Sequence, residues 1–186
     1  MKKTNRRFFT AIKFNDEVVQ ALDHNAKVIA ENGKIRLADP ENYHLTLIYI
    51  GATARLSEAR QAFHASVREK FEVEFSNVRF LKRNDGMLVW QVVENNADLS
   101  ALHKQLNEEL SWRGFANRNR EFRPHVTLGR DFNLKEDQEL SIDEVAEINA
   151  KLVTPPSFLV ESVGLYESKV VDGKLVYVEI DSLDLY

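Results

Sequence analysis

The order of apolar and polar positions along the chain changes period several times, and each change marks an element. Phe8 to Phe14 is dense enough in apolar residues for a strand. Asn15 or Asp16 then offers an N-cap for a helix running to Asn32, where Gly33 can stop it. Tyr43 to Ile50 alternates as a second strand, and Ser57 to Lys70 has helical character. Glu72 to Leu81 and Met87 to Glu94 predict paired strands around the turn residues Asn84-Asp85-Gly86. Leu99, Leu102, Leu106 and Leu110 fall on one face of a helix from Ala97 to Arg113, with Gly114 just beyond it. His125 to Arg130 is again strand-like, and Ser141 with Glu144 has the spacing of a capping box. Phe158 to Glu167 and Lys174 to Ile180 form a hairpin pattern across Asp172-Gly173. About seven strands and three or four helices in mixed order predict an α+β fold, largely antiparallel, with helices on the outer faces. Pro155-Pro156 reads as a stiff connection inside one domain covering residues 1–186.

Composition narrows the class. The chain has 186 residues, 44% hydrophobic and 29% charged, the balance of a globular protein with a sizeable core. No apolar run is long enough to span a bilayer, so no membrane partner is expected. Lys2, Lys3, Arg6 and Arg7 ahead of Phe8 to Ile12 resemble a secretion signal only superficially, because Lys13 ends the apolar run and no cleavage site follows. The absence of cysteine removes disulfides, thiolate nucleophiles and cysteine-bound zinc, and a reducing cytoplasm is the expected location. A net charge of −4 argues against nonspecific coating of nucleic acid. Charge is nevertheless segregated. Arg113, Arg118, Arg120, Arg123 and Arg130 form a basic stretch, followed by an acidic one from Asp131 to Glu147. A solvated face is the plain reading of both; the basic stretch gains interest because it leads into a histidine motif.

Two of the five histidines stand in one frame, His44-Leu45-Thr46-Leu47 and His125-Val126-Thr127-Leu128. Side chains alternate along a strand, so His and Thr two positions apart share a face, roughly 7 Å from each other, while the aliphatics point to the core. Each copy alone is compatible with an ordinary edge strand. Brought together in a cleft, the two copies supply what in-line phosphodiester hydrolysis needs. A neutral imidazole takes a proton from water, a protonated one gives a proton to the leaving oxygen, and two hydroxyls hold the nonbridging oxygens. Histidine populates both forms near neutrality. Neither motif adds the further ligands a zinc site requires, so no metal is expected. His24, His64 and His103 fall on helices and read as surface or satisfied residues.

The doubled frame resembles the 2H phosphoesterase superfamily, and its surroundings resemble the LigT-like RNA 2',3'-cyclic phosphodiesterase, or 2'-5' RNA ligase, branch. The likeness is carried by the opening strand from Arg7 to Phe14, by Pro40-Glu41-Asn42-Tyr43 entering the first motif and by Ile50-Gly51 after it. Phe122 to Arg130 and Leu165-Tyr166-Glu167-Ser168 match as well. The resemblance implies a bilobal fold of two pseudo-symmetric lobes with a cleft between them, and catalysis with no metal or nucleotide cofactor. It implies His44 as proton donor and His125 as proton acceptor, an order that spacing cannot give. Arg130 matches a basic residue that contacts phosphate or ribose, although a surface arginine is the alternative. RNA ends or nucleotide cyclic phosphates are the expected partners, acting on a monomer. A small cyclic nucleotide, a 2',5'-oligonucleotide or an ADP-ribose cyclic phosphate are alternative substrates, and a non-catalytic RNA-end-binding module is the alternative to an enzyme. The opening strand lacks a following proline common in the family, and the stretch from Asp131 to Lys151 is longer and more acidic than usual. Tyr43, Phe122 and Tyr166 are aromatic enough to stack on a base, with core packing the simpler expectation for each.

Overall fold

The computed structural model describes residues 6–66, 68–84, 86–115, 121–134 and 140–186. Strand β1 (Arg6–Ile12) leads into α1 (Asp16–Asn32), whose first turn is capped by Asn15 Oδ1 accepting the Val18 amide at 3.1 Å. Val18, Leu22, Ala26 and Ile29 form its buried stripe, one residue per turn. Gly33 does not end this helix as a left-handed cap. Its backbone is extended, and it opens a strand, β2 (Gly33–Leu37), that the local pattern does not predict. Glycine is needed there for close approach, since a Cβ would lie 2.6 Å from the Phe132 ring.

A short 3₁₀ turn at Pro40–Asn42, capped by Asp39, precedes β3 (Leu45–Thr53), so this strand starts two residues later than Tyr43. Helix α2 (Leu56–His64) is shorter than the predicted Ser57 to Lys70. The chain beyond it is taken up by the C-terminus instead: the Lys70 amide donates to the Tyr186 carbonyl, and the Tyr186 amide to the Arg68 carbonyl. The remaining elements are β4 (Phe71–Val73), β5 (Phe75–Arg83), β6 (Gly86–Val93), α3 (Ala97–Trp112), β7 (His125–Leu134), α4 (Ile142–Ala150), β8 (Phe158–Val160), β9 (Ser162–Val171) and β10 (Lys174–Asp184). The Ser141–Glu144 capping box is formed at α4. Asp172 and Gly173 both have positive φ, as a tight hairpin between β9 and β10 requires. Asp85 of the other proposed turn lies outside the described residues, as do 135–139 of the acidic stretch.

The described strands form two four-stranded antiparallel sheets, ordered β10-β9-β1-β3 and β2-β7-β6-β5, and a small β4-β8 ribbon. Helices α2 and α3 contact the first sheet through β10 and β3, while α1 packs on β2 and β7 of the second and α4 packs on α1. This is the expected α+β, two-lobed arrangement. The lobes are not halves of the chain, because β2 crosses early to pair with β7. One continuous apolar cluster joins Phe8 and Leu45 of the first sheet to Val89, Val126 and Phe132 of the second. Among the described residues no helix is long and apolar enough to cross a membrane.

Candidate active site

β3 and β7 come into contact where the sheets meet, and the histidine motifs sit at the starts of these two strands. A cleft of about 610 Å³ opens there, lined by His44, Thr46, His125, Thr127 and Arg130 together. Every residue singled out from the doubled motif therefore borders one cavity.

The two imidazoles are anchored alike. His44 Nδ1 lies 2.6 Å from the Asn42 carbonyl and His125 Nδ1 lies 2.7 Å from the Arg123 carbonyl, each two residues upstream. A carbonyl only accepts, so Nδ1 carries the hydrogen in both rings, and Nε2 is left for chemistry. The 3₁₀ turn supplies the first carbonyl. Pro124 fixes the second, by holding Arg123 extended just before the strand. His44 Nε2 is 2.9 Å from Thr46 Oγ1, so the neutral ring accepts the threonine proton.

The walls differ. His44 packs against Phe9 and Tyr177, each with its ring centroid 5.0 Å away. His125 lies nearly parallel to Trp90, with centroids 3.6 Å apart and 17° between the planes, a diagonal neighbour made possible by the pairing of Trp90 with Thr127. This packing strips water from both rings. Burial pushes the His44 pKa down to about 4, against the Asn42 carbonyl, which favours the charged form, and with help from Lys13 and His125. Burial also lowers His125, opposed by the Arg123 carbonyl and assisted by Arg130. Burial thus favours the neutral form of both rings in the free protein.

Among the described residues of the basic stretch, Arg113 and Arg123 do not line the cleft. Arg113 pairs with Glu109 and Arg123 with Glu121, and Arg118 and Arg120 lie outside the described residues. Of that stretch Arg130 borders the cavity. His64 pairs with Asp181 at 3.1 Å and His103 stacks on Phe122, both away from the cleft, as read from their helices. Tyr43 and Tyr166 are buried, and Phe122 packs against the core.

Arg36, Tyr49, Ser168, Lys174 and Tyr177 also line the cleft and were missed from sequence. The available signal was weak: two consecutive phenylalanines, Phe8-Phe9, point to opposite faces of a strand, so each face calls for a cover, including a wall over Phe9. Among the described residues no group of three or more His, Asp or Glu side chains is placed to hold a metal ion.

A family model described as the 2'-5' RNA ligase superfamily matches residues 16–172. An RNA 2',3'-cyclic phosphodiesterase from Thermotoga maritima is 33% identical over 130 residues, covering 67% of this chain and 69% of the relative. Another, from Archaeoglobus fulgidus, is 25% identical over 127 residues, covering 67% and 72%. E. coli LigT solved with 3'-AMP superposes at a TM-score of 0.76 and 23% identity, covering 97% of this chain and 98% of that one. TT0787 of Thermus thermophilus gives 0.75 at 18% identity, covering 96% and 97%. These likenesses establish the fold as LigT-like.

Proposed function

The chain belongs to the 2'-5' RNA ligase superfamily, a family of phosphoesterases, and from that premise we propose that it hydrolyses a 2',3'-cyclic phosphate on an RNA end to a 2'-phosphomonoester. The observation that carries this reading is the pair of imidazoles bordering one cleft, each anchored through Nδ1 and each followed by a threonine on the same strand face. In the forward step His125 Nε2 takes a proton from water, the water oxygen bonds to phosphorus in line, the bond from phosphorus to O3' breaks, and His44 Nε2 protonates O3'. Thr46 and Thr127 donate to the nonbridging oxygens, and Arg130 adds positive charge beside them. With a 5'-hydroxyl of a second RNA end in place of water, the same steps form a 2'-5' phosphodiester bond as the bond from phosphorus to O3' breaks, which is the ligation direction.

The donor needs a proton that the free protein does not hold at pH 7. A phosphate monoanion beside the ring favours the charged imidazole and offsets the burial that depresses it. The order of the two roles rests on likeness to the family. One observation favours the reverse order: His44 Nε2 already accepts a hydrogen bond, from Thr46 Oγ1, as a base does.

A short RNA with a 2',3'-cyclic end tests the reaction directly. Product analysis should show a 2'-monophosphate end, formed at the same rate in EDTA. A 3'-monophosphate product, or activity lost on chelation and restored by zinc or magnesium, contradicts the proposal.

A further inference from the structure

The charged residues bordering the cleft do not match the chain as a whole. Arg36, Arg130 and Lys174 line it with Asp39 as the one lining carboxylate, and Asp131 pairs with Arg36 beside it, in a protein of net charge −4. The Asp39 carboxylate is engaged in capping the 3₁₀ turn, where Oδ1 accepts the Glu41 amide at 3.0 Å. The reacting phosphate is already provided with imidazoles and hydroxyls. The extra cations therefore call for a second anion.

Two features of this wall decide how its cations are held. Arg36 on β2 is the direct antiparallel partner of Arg130 on β7, and like charges in that position repel. Asp131, the next residue, has φ +57, a left-handed conformation that Asp tolerates better than most residues other than glycine and that turns its side chain off the regular strand alternation. Its carboxylate oxygen Oδ2 accepts from both Nε and Nη2 of Arg36, at 3.0 and 2.8 Å. Asp131 thus fixes the plane of the guanidinium and leaves Nη1 to donate elsewhere. Lys174 lines the same cleft, and Asn42 Nδ2 donates to the Leu175 carbonyl at 2.9 Å, tying the start of β10 to the turn that follows β2.

We infer that Arg36, held by Asp131, and Lys174 form a second anion subsite that takes the phosphate on the 5' side of the nucleotide carrying the cyclic phosphate. The favoured substrate is then a polynucleotide end rather than a mononucleotide. This rests on the hydrolytic reading for the chemistry at the first phosphate. It goes beyond it in assigning Arg36, Asp131 and Lys174. A guanidinium with a fixed plane suits a phosphate diester, and Asp131 acts as a positioning residue.

Equilibrium binding of three product-like ligands that do not react tests it: a nucleoside 2'-monophosphate, the nucleoside 2',5'-bisphosphate, and a dinucleotide ending in a 2'-phosphate. The bisphosphate and the dinucleotide should bind about ten- to a hundredfold more tightly than the monophosphate, the worth of one or two charge-assisted hydrogen bonds. Arg36→Gln and Lys174→Gln should each remove about tenfold of that advantage at an unchanged melting temperature, with Arg36→Lys retaining part of it. Equal binding of all three ligands, or an advantage that survives the double variant, overturns the subsite while leaving hydrolysis standing. A gain for the bisphosphate without one for the dinucleotide overturns the polynucleotide assignment. Loss of hydrolysis with the advantage intact would sink the catalytic reading and support the subsite.

Discussion

His44 shows how much of the site is set by surroundings rather than by residue type. Its ring is enclosed by Phe9 and Tyr177, tied at Nδ1 to Asn42, and held neutral with a pKa of about 4. In the unfolded chain the same imidazole titrates near about 6.5. Between those values the unfolded state binds more protons, so stability rises with pH across the window. The neutral ring's contribution is complete above about pH 6.5 and is lost as pH falls towards 4, by at most on the order of 3 kcal/mol. Urea unfolding at pH 7.5 and 4.5 should therefore show a larger acid loss for the natural protein than for His44→Gln. Equal losses would mean the ring is solvated. The histidines and threonines were legible in sequence because strand alternation alone puts them side by side. Arg36, Lys174 and Tyr177 were not, since nothing local announces that β2 and β10 border the same cleft.

At the scale of elements, local signals succeeded where the element is held by its own ends. Helix α1 begins at its Asn15 cap and ends at Asn32 as read, and α3 follows its leucine stripe. They failed where distant chain decides. β2 has one partly buried apolar residue facing the core, Ile35, and exists because β7 pairs with it. The segment after α2 leaves helix because Arg68 and Lys70 bond to Tyr186. The β2–β7 pairing depends on a small residue at 129: a Cβ on Gly129 would lie 2.5 Å from Ile35 Cδ1 and 3.1 Å from the Arg36 carbonyl. Gly129→Ala should cost roughly 1–3 kcal/mol by forcing the strands apart. It should also disturb Arg36 and Arg130, so denaturant midpoint and RNA turnover should fall together. A variant as stable and active as the natural protein would show that β2 yields freely.

The whole molecule is two antiparallel sheets that share one core and leave a cleft where β3 meets β7. Neither lobe can assemble the site alone, since His44 and Thr46 belong to the first sheet's side and His125 and Thr127 to the second's. The order of strand-like and helical segments in the sequence foretold the α+β class, and the doubled motif pointed to two His-x-Thr strand starts facing one cleft. It did not foretell that the lobes exchange chain, because strand order is fixed by pairing between residues far apart in sequence. In the proposed reaction one imidazole from each lobe moves a proton at the same phosphorus. Turnover of a 2',3'-cyclic-phosphate RNA by His44→Ala and by His125→Ala measures this most directly. Each variant should stay folded and lose about 10²- to 10⁴-fold in turnover, the usual worth of a positioned acid or base. Folded variants that keep near natural turnover would contradict it.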